Sequence, residues 1–136
     1  MMKAGELGNV DPFLSLWLET AEQRTFSFNV TLLLNGLLVT GTLISSDEYF
    51  SLFAETIAQE SPSSWHPDEV KDFRLIILDT YNRLREGMDV SRKSQFIHLK
   101  EAQVMPSLGE RFTVSLWRGR LESVDGWVLG GPSPML

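Results

Sequence analysis

The chain has two histidines, His66 and His98, and no cysteine, so imidazole chemistry is confined to two distant points and thiol chemistry is absent. A catalytic imidazole needs an orienting partner and a nucleophile within reach. His98 lies between Ile97 and Leu99 in an apolar segment, and neither histidine sits in a ligand-spaced cluster. The serine pairs Ser45-Ser46 and Ser63-Ser64 stand at helix starts, where capping accounts for them, and no Gly-x-Ser-x-Gly elbow occurs. Asp11, Asp47-Glu48 and Asp68-Glu69 occupy expected first turns of helices, where the helix dipole favours acids without any ion. Phosphate loops, Gly-x-Gly-x-x-Gly turns and EF-hand loops are missing. Trp117-Arg118-Gly119-Arg120 pairs an indole with guanidinium groups, as a base-stacking site would. On a strand, however, Trp117 and Arg118 point to opposite faces, and Glu122 and Asp125 follow closely. These patterns supply no catalytic, cofactor-binding or metal-ligating residue. What remains is adhesion: Trp117, Arg118, Arg120 and Trp127 are the candidate protein-binding residues, set against the alternative that the indoles fill the core.

The elements that would position these residues follow from periodicity. Asp11-Pro12 opens a helix over 12–24, with Phe13, Leu14, Trp17, Leu18 and Ala21 forming one apolar stripe. Residues 26–45 read as a β-hairpin around Asn35-Gly36, a type I′ turn that sets Leu34 opposite Leu37, Leu32 opposite Val39, Val30 opposite Gly41 and Phe28 opposite Leu43. The other face carries Ser27, Asn29, Thr31, Thr40 and Thr42, interrupted by Leu33, Leu38 and Ile44. Gly41 in mid-strand predicts a bulge or sharp bend. Ser45 with Glu48 forms a capping-box pattern, and a helix stripe Tyr49, Phe50, Phe53, Ala54 and Ile57 follows. After a turn-rich break, Pro67 to about residue 86 repeats apolar residues every three or four positions. A polar connector leads to a strand from Phe96 to about Met105, a turn at Pro106–Gly109, a long strand over 111–123 bent at Gly119, and a short strand from Trp127 to Leu129. Asp125-Gly126 is a second hairpin signal, joining the last two strands.

This order predicts one α+β domain over 1–136. Its strands make a small, strongly bent antiparallel five-stranded sheet or barrel, SH3- or Sm-like, led by an N-terminal helix. Residues 46–86 form a two-helix insertion between strands 2 and 3, 95–130 hold three strands, and 131–136 are a loose tail like residues 1–10.

Composition narrows the class. The chain is 43% apolar with fourteen aromatic residues, enough for a packed core and too much for wholesale disorder. No apolar run approaches the ~18 residues of a membrane span, and no secretory pattern opens the chain, so the expected location is cytoplasmic. The first 70 residues carry ten acids against two bases, the remaining 66 eight acids against ten bases. A net charge of −6 repels phosphate backbones, so nucleic acid is not an expected partner. The two oppositely biased halves favour association with another protein or a second copy.

The segments FNVTLLLNGLLVTGTLISSDEYF (28–50), FIHLK (96–100), WRG (117–119) and VDG (124–126), taken in this order, resemble the gas vesicle accessory protein U family. That resemblance implies a non-enzymatic cytoplasmic protein, without cofactors, that binds gas vesicle shell or other gas vesicle proteins, or itself, to influence vesicle assembly or clustering. A looser likeness, of fold only, is to Sm-like small barrels, many of which form rings that bind RNA. It implies barrel architecture and homo-oligomerisation, and it leaves a ring-forming RNA binder or a generic protein-interaction module as the alternative function.

Overall fold

The computed structural model describes residues 10–23, 27–87, 95–106 and 109–131. The expected loose termini (1–9 and 132–136), the polar connector at 88–94, the turn residues 107–108, and the expected helix and hairpin boundaries at 24 and 26 lie outside the described residues. The elements are α1 (Pro12–Gln23), β1 (Phe28–Leu34), β2 (Leu37–Ile44), α2 (Ser46–Glu60), α3 (Pro67–Gly87), β3 (Phe96–Met105), β4 (Phe112–Arg120), a 3₁₀ turn (Leu121–Ser123) and β5 (Gly126–Leu129). They divide into two compact units: the sheet with α1, and the helical pair α2–α3.

In the sheet unit the Asn35-Gly36 turn has positive φ at both positions, and the β1–β2 register is the one that turn dictates, from Leu34 opposite Leu37 to Phe28 opposite Leu43. Val30, Leu32, Leu34, Val39 and Leu43 of the hairpin are buried with Ile97, Leu99 and Ala102 of β3, and Leu14, Leu18 and Ala21 of α1 join the same core. Trp17 meets Phe28 edge-on at 4.5 Å. Phe13, expected in the buried stripe, lies on the exposed side of α1. The Asp11 carboxylate accepts the Phe13 amide at 2.8 Å, satisfying a free donor of the first turn.

The β2–β3 register shifts by one between Thr40 and Thr42, at Gly41. The extra residue on β3 is Glu101, held at φ 50. A Cβ on Gly41 would press within 3.2 Å of Ala102 and the Lys100 carbonyl, so the bulge needs glycine opposite it. Gly119 pairs regularly with Ile97, without a register shift that would mark a bulge in β4. Instead it makes room for the Trp117 indole, which occupies the space a Cβ would take.

The strand order β4-β3-β2-β1-β5 corrects the barrel expectation: this antiparallel sheet is open, with β4 and β5 as its two edges. The Asp125-Gly126 hairpin between the last strands does not form. β4 ends at Arg120, the 3₁₀ turn follows, and the Asp125 amide then bonds the Leu33 carbonyl, so β5 lies against β1. Chain reach shows how strongly the sheet coils. A flat sheet would separate the end of β4 from Leu33 by about 30 Å, at ~3.3 Å per residue and ~4.8 Å per strand. The six residues from Arg120 to Gly126 span at most about 20 Å. Opposite corners of the sheet therefore approach each other without the edges bonding.

In the helical unit, Phe50 stacks on Tyr81 at 4.5 Å and Trp65 meets Phe73 at 5.7 Å. The Tyr81 hydroxyl donates to Asp47, which also accepts from Arg85 at 3.0 Å. His66 caps α3: its Nδ1 accepts the Asp68 amide at 3.1 Å, while its own amide donates to Glu69.

Candidate functional site

The inner face of the sheet is filled by the core, so what the sheet itself offers a partner sits on its outer face or its edges. On the outer face, register sets Leu33 beside Leu38 and Leu38 beside Met105, an apolar row across β1, β2 and β3. Leu33 and Leu38 are 39% and 37% exposed, and Val128 of β5, opposite Thr31, is 58% exposed. These are large apolar side chains left in water on a sheet that already buries its other face.

Next to the row lies a polar cup of about 300 Å³, lined by Asn29, Thr40, Gly41, Thr42, Glu101, Gln103, Met105, Arg111 and Gly131. Its floor is pre-ordered by hydrogen bonds among its own side chains and the backbone beneath. Thr42 donates to the Asn29 side-chain oxygen at 2.9 Å, and Thr40 donates to the Val30 carbonyl at 3.2 Å. Thr31 is buried beneath, with its hydroxyl 2.9 Å from the Gly130 carbonyl and 3.0 Å from the Thr40 hydroxyl. Glu101 is brought to the rim by the bulge. Arg111, just ahead of β4, forms no ion pair among the described residues, and neither does Glu101.

The four residues singled out from sequence do not make one patch. Trp117 and Trp127 are half-buried against the core, on opposite edge strands, and the Trp127 indole N–H donates to Asp11 at 2.9 Å. Arg118 and Arg120 are exposed on β4. The Arg118 guanidinium lies 3.7 Å over the Phe96 ring, and its Nε donates to His98 Nε2 at 3.1 Å. Arg120 pairs with Glu122. Burial, and secondarily the Arg118 charge, push the His98 imidazole down to about 4, so it is neutral at pH 7 and acts as an acceptor.

Sequence reasoning missed the cup because its lining comes from segments far apart in the chain. It did register part of the apolar row, as the leucines interrupting a threonine face. Among the described residues no three acidic or histidine side chains converge as a metal site, and no helix is long and apolar enough to cross a membrane. No curated protein matches the chain. Residues 11–132 match the family model described as gas vesicle protein GvpU-like.

Proposed function

The chain belongs to the GvpU-like gas vesicle protein family, and from that premise we propose that it is a non-enzymatic accessory protein that binds the vesicle shell or other vesicle proteins. The single observation that carries the contact surface is the outer face of the sheet. There an exposed apolar row adjoins a pre-ordered polar cup, on a unit whose other face already holds a complete core. Apolar residues flanked by satisfied polar groups suit protein recognition, where a few desolvated anchors supply most of the affinity. Arg118 and Arg120, exposed on the β4 edge, are the secondary contact, and Trp117 and Trp127 support both surfaces from within. In this reading the protein works in the compartment that holds the vesicles, and binding influences their assembly or clustering.

The test is flotation. Intact gas vesicles are mixed with the full chain, floated by centrifugation and washed. Co-flotation of the wild type, reduced about tenfold or more in the doubly substituted Leu33→Ser, Leu38→Ser protein with an unchanged circular dichroism spectrum, supports the reading. Wild-type protein that stays wholly in the subnatant overturns it.

A further inference from the structure

The outer face also carries a charge pattern, and the pattern specifies what kind of segment it fits. Arg111 immediately precedes Phe112, whose partner on β3 is Val104, so Arg111 lies alongside Met105 at the end of the apolar row. Glu101 is four residues back along β3, about 13 Å at 3.3 Å per residue. The cup between them is lined by Thr40, Thr42, Asn29 and Gln103, all uncharged. Neither terminal charge is neutralised by an ion pair among the described residues. The apolar row thus runs across the strands and ends at the cation, and from there, along β3, the face continues as a neutral polar floor and then an anion.

Resting on the vesicle-accessory reading, we infer that the partner presents an extended segment with apolar side chains next to an acid, and a basic residue about four positions beyond that acid. The acid faces Arg111, the base faces Glu101, and the apolar side chains ahead of the acid cover Met105 and the adjoining end of the row. An extended chain matches because its rise per residue equals that of the strands beneath it, so four positions cover the same 13 Å or so. A helix with the same four-residue spacing covers only about 6 Å and would leave one charge unmet. The floor between Arg111 and Glu101 carries no charge, and the two terminal charges set the segment's direction.

Two measurements test this on the full chain. The first uses a capped peptide with two leucines, then an aspartate, then a lysine four places on, titrated while amide resonances are followed by NMR. Shifts confined to Thr40, Thr42, Gln103 and their neighbours are expected. They should weaken about three- to fivefold when aspartate and lysine are exchanged in the peptide, or in the Arg111→Glu protein, and should fade with added salt. Equal shifts from both peptide orders, or none localised to the cup, overturn the inference. The second repeats the vesicle flotation with Arg111→Glu, Glu101→Lys and the double charge swap. Weaker flotation of each single variant at low salt is expected, and undiminished flotation of all three overturns the inference while leaving the accessory role intact. Peptide binding in the expected order without vesicle flotation overturns the accessory role and leaves the inference standing. Loss of self-association by these variants in sedimentation, with vesicle binding unchanged, assigns the face to a second copy and also overturns the inference.

Discussion

The sheet unit and the helical pair are held together differently. In the sheet unit, α1, three strands and the 3₁₀ turn bury residues in one core in which Leu32, Val39, Ile97, Leu99 and Ala102 are completely inaccessible. In the helical pair only Tyr49 and Ala54 are buried, α3 buries no residue fully, and Leu75, Ile76 and Leu84 are each more than half exposed. Its order rests on ring stacking and on the Asp47–Tyr81–Arg85 cluster. The difference teaches where rigidity resides: the unit with the sealed core is the one that can hold a pre-ordered surface, and the helices are the part expected to open first.

The largest expected effect breaks that contrast directly. Leu99→Ala should destabilise the protein by about 3 kcal/mol, because it removes a fully buried side chain and leaves a cavity. Ile76→Ala, on the exposed side of α3, should change stability by less than about 0.5 kcal/mol. Urea melts of the two variants measure both. Similar losses would mean that the helical pair is as tightly packed as the sheet.

Next in size is a pH effect carried by the sheet unit alone. His98 is held near 4 in the folded protein against 6.5 for an ordinary histidine, so between those values the unfolded chain binds more protons. Stability should therefore be full above pH 6.5 and fall as pH drops toward 4, by up to roughly 3 kcal/mol. Melts of the wild type and of His98→Gln across this window should diverge, the variant showing the flatter profile. Parallel profiles would remove His98 as the source.

Much of this architecture was legible in the chain. Asn35-Gly36 fixed the hairpin register because turn chemistry and a period of two agreed, and Gly41 announced its bulge by standing alone in an apolar strand. Asp125-Gly126 misled for a physical reason. The same dipeptide that suits a tight turn also supplies a free carboxylate, and Asp125 uses it to accept the Asn35 amide at 2.8 Å, docking β5 on β1. Local signals cannot weigh that long-range bond against a local turn. The cup was illegible because bulge, loop and strand residues meet there only after the sheet coils, and the orientation of Trp117 depends on the absence of a side chain at Gly119.

Within the helices, Tyr81→Phe sharpens the comparison. It deletes the hydroxyl that donates to Asp47 and lies 3.0 Å from Ser46, while keeping the stack on Phe50. A loss of about 1 kcal/mol is expected. It should appear as faster amide exchange in α2 and α3, with the protection of β1–β3 unchanged. Faster exchange throughout the sheet as well would mean that the two units open as one.

The smallest effect concerns the tie between α1 and the edge strand β5. Asp11 accepts the Phe13 amide and the Trp127 indole N–H with one carboxylate. The indole bond first, then the Phe13 amide, hold its carboxyl below the usual 3.8. A lowered folded-state value means that the contribution is present above pH 3.8 and disappears as pH falls through the folded value, a window below that of His98. The Trp127 indole proton should report this: its NMR resonance should move in the wild type only as the pH drops below 3.8, and should not titrate there in Asp11→Asn. Because the carboxylate is open to solvent, added salt should weaken the effect, which a buried tie would resist. An indole signal that titrates identically in both proteins would show that β5 is held by its pairing with β1 and the core contact of Trp127 alone.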